Sequence, residues 1–314
     1  MKKVLMDCDP GHDDMVAIML AAASDEVDLL GITTVAGNQI GEKTFRNALR
    51  ILTLINRKEI PVARGFDGPL VRKLVVAPEI HGVSGLDGAD LPEPAVKPLK
   101  VHAVDFIIET LRKSSGGVYL VPTGPLTNVA VALLKAPDIK EKIERIVLMG
   151  GAVFDSNTTP AAEFNIYVDP EAAKIVFESG VPITMVGLDV TDKAIFNFDD
   201  IEKLRRFNGK VSRVVAPLLK FFGNANKEIY GFNGAPLHDA LAVSVLINPD
   251  VVKTRFLHVD IETKGEFTRG ETVADVYGIT GKAPNADVAL ELNLPLFKEI
   301  VFSHIKKLDE SLEG

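Results

Sequence analysis

From Lys3 to Val186 the chain alternates short, almost wholly apolar runs with helix-length segments, and that alternation limits the fold more than any other feature. The strand-like runs are Lys3–Cys8, Leu29–Val35, Ile60–Ala63, Val118–Val121, Arg145–Met149 and Ile183–Val186. The helix-like stretches between them are Met15–Ala23, Lys43–Ile55, Ala103–Lys113, Leu126–Leu134 and Pro170–Glu178. Such a pattern predicts βαβ units that build an open, mostly parallel sheet with helices on both faces. Leu29–Val35 and Ile146–Met149 are nearly continuous in apolar character, as central strands buried on both sides must be. After Asp199 the pattern turns helical through Phe222, and further helices are expected at Ala240–Ile247 and Leu294–Leu308. Between Gly65 and Pro98 glycine and proline are dense and periodicity is lost, which predicts a long functional loop. The expectation is one α/β domain over residues 1–314, with extra helices toward its C-terminal half.

The 35 basic and 43 acidic residues leave a net charge of -8, which argues against a nucleic-acid backbone or an anionic membrane as partner. Small neutral or cationic ligands fit that balance better. Cys8 is the single cysteine, so no intramolecular disulfide forms. The opening Met-Lys-Lys-Val-Leu-Met runs into an acidic cluster instead of a secretory apolar region, which points to the cytoplasm. No apolar run approaches the roughly 20 residues needed to cross a bilayer.

Four carboxylates crowd into Asp7-Cys8-Asp9-Pro10-Gly11-His12-Asp13-Asp14, at the end of the first strand. Asp7 and Asp9 share one strand face while Cys8 points to the other, and Asp13 and Asp14 fall at a helix N-terminus. One or two acids complement a helix dipole; four exceed that need. Like charges about 4 Å apart repel by roughly 4 kcal/mol at an effective dielectric of about 20, so the cluster calls for a cation. Oxygen ligands without further cysteines suit calcium or magnesium and not zinc.

In open α/β sheets ligands bind beyond the carboxyl ends of the strands, so other polar residues at strand ends matter. These are Val35-Ala36-Gly37-Asn38, Pro122-Thr123-Gly124-Pro125-Leu126-Thr127-Asn128, Met149-Gly150-Gly151 with Asn157 and Ala162-Glu163-Phe164-Asn165, and Pro236-Leu237-His238-Asp239. Taken singly, each also reads as a turn, a helix cap or a solvated loop. The weight lies in the ensemble.

These motifs, in this order across nearly the whole chain, resemble the inosine-uridine preferring nucleoside hydrolase family. The resemblance implies a Rossmann-like sheet, calcium dependence and hydrolysis of the N-glycosidic bond of ribonucleosides to ribose and free base, for nucleoside salvage. It implies a homotetramer or homodimer. It also implies calcium held by Asp9, Asp14, the Thr123 backbone carbonyl and Asp239, with Asp9 as the base that activates water. Asp13, Asn38, Asn157, Glu163 and Asn165 would grip the ribose, Met149 would line its pocket, and His238 would act as the leaving-group acid. His81 would line the base pocket from the long loop, the alternative being a solvent-exposed loop histidine. The segment Glu228–Ala235 resembles the bacterial form and is shorter than in protozoan relatives, so Tyr230 and Phe232 are candidates for base contacts without an assigned role.

Three other readings compete. A pyrimidine-restricted hydrolase is a narrower form of the same one. A haloacid-dehalogenase-type phosphohydrolase shares the Asp-x-Asp strand end, but here Pro10-Gly11 follows the second aspartate. A non-catalytic nucleoside binder would need a defective acid set, and this set is complete. The glycine-rich dinucleotide fingerprint is missing after the first strand, and no anion cradle or arginine pair marks a phosphorylated substrate.

Overall fold

The computed structural model describes residues 1–313 and contains twelve strands. They are β1 (Lys2–Cys8), β2 (Val27–Thr34), β3 (Val62–Arg64), β4 (Val118–Pro122), β5 (Ile143–Met149), β6 (Ile183–Val186), β7 (Ile195–Asn197), β8 (Gly234–Pro236), β9 (Val252–Leu257), β10 (Val259–Ile261), β11 (Thr272–Ala274) and β12 (Ala286–Leu292). Eight of them form one sheet in the order β3-β2-β1-β4-β5-β6-β12-β9. Every neighbouring pair is parallel except β12 with the edge strand β9. This is the expected α/β architecture.

The chain winds outward from β1 through β2 and β3, then crosses back to place β4 on the other side of β1. Such a reversal opens a crevice beyond the carboxyl ends of the two strands at the switch. Asp9 follows β1 and Thr123 follows β4, and the Thr123 N–H donates to the Asp7 carbonyl at 2.9 Å. The acidic motif therefore opens into that crevice.

Two apolar clusters cover the two faces of the sheet. One gathers Val104, Ile107, Val129, Ala173 and Phe177 from the helices Ala103–Lys113, Thr127–Lys135 and Pro170–Phe177. The other gathers the helices His12–Ala23, Gly41–Leu54, His238–Ile247 and Leu294–Glu313. All twelve residues of His12–Ala23 are buried, because this helix is wedged between the sheet and the helices His238–Ile247 and Leu294–Glu313. Its apolar character all round is what such a position requires.

The expected elements up to Val186 are present within a few residues of their predicted bounds. Four features lie outside what the sequence pattern predicts: the two-stranded pairings β7–β8 and β10–β11, and the strands β9 and β12 that extend the sheet. β9 carries Lys253, Thr254, Arg255 and Phe256 exposed in succession, the polar pattern of a guarded edge and not of an apolar strand. The Gly65–Pro98 excursion is a long loop with one short helix, Pro78–His81. Arg50 anchors it by donating to the carbonyls of Leu91 at 2.6 Å and Pro92 at 3.2 Å. No helix among the described residues is long and apolar enough to cross a membrane.

Candidate active site

Two helix N-termini converge on the crevice. The helices His12–Ala23 and His238–Ile247 pack together, and their first turns carry Asp13, Asp14 and Asp239. Oxygens of these three carboxylates lie within 4.8 Å of one another. The partial positive charge of two helix starts favours anions there, although each terminus contributes only about 0.3–1 kcal/mol. Such dipoles alone do not balance three buried carboxylates.

Asp14 is fixed on every side: its Oδ2 accepts from the Gly11 N–H at 2.9 Å and the Asn38 amide at 3.1 Å, and its Oδ1 from the Thr123 hydroxyl at 2.8 Å. Asp9 is wholly buried; its Oδ2 accepts the Asn38 backbone N–H at 2.7 Å, while its Oδ1 has no protein partner. Gly124 leaves room for this carboxylate, since a Cβ at that position would meet Asp9 Oδ1 at 2.5 Å. Burial, reinforced by the neighbouring acids, holds Asp9 and Asp239 well above the ordinary carboxylate range and pushes Asp13 up to about 7. Burial also raises Asp14, against its several hydrogen bonds.

The sequence motifs group Asp9, Asp14, the Thr123 carbonyl and Asp239. In the structure Asp14 and Asp239 form a close trio with Asp13, while Asp9 joins Asp14 through Asn38 and Thr123 joins it through its hydroxyl. The Thr123 carbonyl accepts the Asn165 amide at 2.8 Å. A buried carboxylate oxygen without a partner, among an all-oxygen donor set, fits a hard divalent cation.

Beside the acids lies a cavity of about 200 Å³. Its walls include Asp13, Asn38, His81, Thr123, Met149, Asn157, Glu163, Asn165, His238 and Asp239, so every expected sugar- or base-contacting residue reaches it. Glu163 caps the short helix Phe164–Val168 through the N–H groups of Asn165 and Ile166, and also accepts from Gly151 at 3.0 Å. Burial pushes Glu163 up to about 7. The Asn165 amide also donates to the Met149 carbonyl at 3.2 Å, tying the end of β5 to that of β4. Asn157 caps Phe164 at 3.0 Å and accepts the Tyr230 hydroxyl on its backbone carbonyl at 3.3 Å.

His238 is anchored by its Nδ1 to the Thr191 hydroxyl at 2.9 Å, and burial lowers it to about 4. It is a neutral imidazole with Nε2 left free for a ligand. Tyr230 lines the cavity; Phe232 packs on Tyr230 at 5.9 Å between ring centroids and is not part of the wall. His81 is buried, 5% exposed, and not a loop histidine in solvent.

Several functional neighbours carry no clear mark in the sequence. Asn128, which reads equally as a helix cap, reaches across to Asp7 Oδ1 at 2.8 Å and to the Thr34 carbonyl at 3.0 Å. Thr33 donates to the same Asp7 oxygen at 2.6 Å, and burial still pushes Asp7 up to about 6. Phe222 and Asn226, one turn apart on the helix Ser212–Tyr230, line the cavity too. The i, i+4 spacing of Phe222, Asn226 and Tyr230 on one helix face is the available signal.

An open α/β sheet with buried acids at its switch point and a cavity beside them has the layout of an α/β enzyme. The inosine-uridine preferring nucleoside hydrolase family signature matches residues 4–299. The pyrimidine-specific ribonucleoside hydrolase RihA of Escherichia coli O139:H28 (strain E24377A / ETEC) is 51% identical over 304 residues, covering 96% of this chain and 98% of that protein. Among solved structures, a purine-preferring ribonucleoside hydrolase from Gardnerella vaginalis superposes with a TM-score of 0.93 at 36% identity, covering 99% of this chain and 100% of that one. An inosine-guanosine nucleoside hydrolase gives 0.89 at 30% identity, with 99% of each chain covered. The chain belongs to the inosine-uridine preferring nucleoside hydrolase family. It is an N-ribosyl hydrolase acting on ribonucleosides.

Proposed function

We propose that the chain, acting as one domain, hydrolyses pyrimidine ribonucleosides in preference to purine ones, with calcium as its cation. The observation that carries the cation is the buried trio of Asp13, Asp14 and Asp239, whose carboxylate oxygens lie within 4.8 Å of one another. The base preference is supported by the 51% identity to a pyrimidine-specific enzyme, against 36% to a purine-preferring one.

Asp9, Asp14, Asp239 and the Thr123 carbonyl would hold the ion. Bound there, calcium would supply positive charge that acidifies a nearby water and draws the two lower ribose hydroxyls. Asp9 takes the proton from the attacking water, its carboxylate being oriented by the Asn38 N–H on Oδ2. Asp13, Asn38, Asn157, Glu163 and Asn165 hold the sugar against Met149, and the carboxylates stabilise positive charge that develops on the ring as the bond breaks. His238, neutral and anchored by Thr191 through Nδ1, offers its Nε2–H as a hydrogen bond to the departing base.

The test is release of reducing sugar from uridine, cytidine, inosine and adenosine, before and after chelation with EGTA and calcium add-back. Higher kcat/KM for the pyrimidines and recovery with calcium are expected. Purine nucleosides as the better substrates would overturn the base preference, and full activity in chelator would overturn the cation.

A further inference from the structure

The helix Ser212–Tyr230 sends Phe222, Asn226 and Tyr230 to the cavity wall, spaced so that all three share one helix face. The Phe222 ring stacks on His81, with centroids 5.2 Å apart, and the Tyr230 hydroxyl donates to the Asn157 carbonyl at 3.3 Å. Asn226 sits between them and is only 2% exposed. The groups read as gripping the sugar come from other parts of the chain, namely the acidic motif, Asn38 and residues 157–165. The wall beside His81 therefore falls to the base.

One hydrogen bond fixes which end of the Asn226 amide meets a ligand. Its Nδ2 lies 2.9 Å from the backbone carbonyl of Phe222, one turn earlier. A carbonyl only accepts, so the nitrogen end of the amide is the end turned toward it. The oxygen end is left over. Asn226 Oδ1 accepts no hydrogen bond among the described residues and is not sealed inside the protein, and the opening that this residue borders is the cavity. The wall therefore presents an acceptor on a side chain that cannot turn over without stranding its donor end.

An acceptor held between the rings of Phe222 and Tyr230 selects for a donor. A base with nothing to donate would cover Oδ1 and leave it unpaired, and a site built around such a bond rejects the analogue that lacks it. Uracil carries an imide N3–H on the edge away from its sugar; cytosine has a bare nitrogen at that position. We propose that Asn226 is a specificity-determining residue that accepts the N3–H of a uracil-type base, so that ribosides with an intact imide N–H are the preferred class. This rests on the pyrimidine ribonucleoside reading of the cavity and narrows it.

The experiment measures kcat and KM for uridine and 3-methyluridine with the calcium-loaded parent and with Asn226→Leu, which keeps the bulk and removes the acceptor. The helical N–H of residue 226 still serves the Phe222 carbonyl in that variant. The parent should favour uridine over 3-methyluridine at least about tenfold in kcat/KM. In Asn226→Leu the KM for uridine should rise about tenfold with kcat within about threefold, as for one lost hydrogen bond. With 3-methyluridine, which has no such bond to lose, kcat/KM should change by less than about threefold. A merely structural role would lower both substrates together, and equal losses in a folded variant overturn the proposal. A parent that cleaves 3-methyluridine as well as uridine overturns it whether or not the variant folds. Those outcomes leave uridine cleavage standing; a parent inert on every ribonucleoside instead overturns the reading of the cavity itself.

Discussion

Asn38 grips Asp9 at two points, its backbone N–H donating to Oδ2 at 2.7 Å and its side-chain amide to the Asp9 backbone carbonyl at 3.2 Å. The same amide reaches Asp14 Oδ2 at 3.1 Å, so one residue at the end of β2 registers both acids. Asp9→Asn keeps the shape and removes the basic oxygen. Turnover should fall by about a hundred- to ten-thousand-fold, with circular dichroism unchanged. Near-parental kcat in a folded Asp9→Asn variant would remove the assigned base.

Cation removal should act on stability as well as on turnover. Without a positive charge the buried acids are left to repel one another, and burial already holds Asp9 and Asp239 high. Calcium at about a hundredfold excess over its Kd should add about 2.7 kcal/mol by linkage alone. Thermal melts in calcium and in EGTA check this; identical midpoints would show that no ion binds here. Parallel assays on 2′-deoxynucleosides, expected to be poor substrates, test whether the lower hydroxyls are gripped.

Asn128 is a buried hub whose three bonds cannot all be replaced by water. Its amide serves Asp7 and the Thr34 carbonyl, and its oxygen accepts the Phe66 N–H at 3.1 Å. Asn128→Ala should cost about 2–4 kcal/mol, because several buried groups lose their partners together. Urea unfolding measures it. A loss under about 0.5 kcal/mol would show that Asp7 is held by Thr33 alone.

Asn128 also marks the limit of what the sequence discloses. Its neighbours in the chain read as a strand-to-helix joint, and a polar residue there looks like a cap. Its partners Asp7 and Thr34 are supplied by β1 and β2, which the sheet order alone brings alongside. The acidic motif is legible because its spacing is local, with Asp13 and Asp14 in the first turn after β1. Apolar periodicity likewise reveals β1 through β6, whereas β9, exposed over four consecutive residues, carries no such signal. That Asp13 joins Asp14 and Asp239 in the closest trio depends on the packing of two helices, which no local pattern encodes.

Asp192 gives a pH test at a carboxyl outside the acid trio. Its carboxyl lies 3.9 Å from His238 Nδ1 and is 22% exposed. Burial, then the charges of Asp155, Glu163 and Asp189, push it up to about 7 from an ordinary value of 3.8. An acid raised on folding favours the protonated fold, so its contribution to stability is complete below the unfolded value and is lost as pH climbs through about 7. Asp192→Asn holds the neutral state at every pH. The variant should match the parent near pH 4, gain on it as pH rises to about 7, and hold a steady advantage above about 8. Each tenfold change in proton affinity on folding is worth about 1.4 kcal/mol, and partial exposure discounts the total to about 1–2 kcal/mol. Urea unfolding of both proteins in saturating calcium, at steps from pH 5 to 8, isolates this carboxyl from the trio. A difference that stays flat across that range would show that Asp192 titrates normally, and that its neighbours do not crowd it.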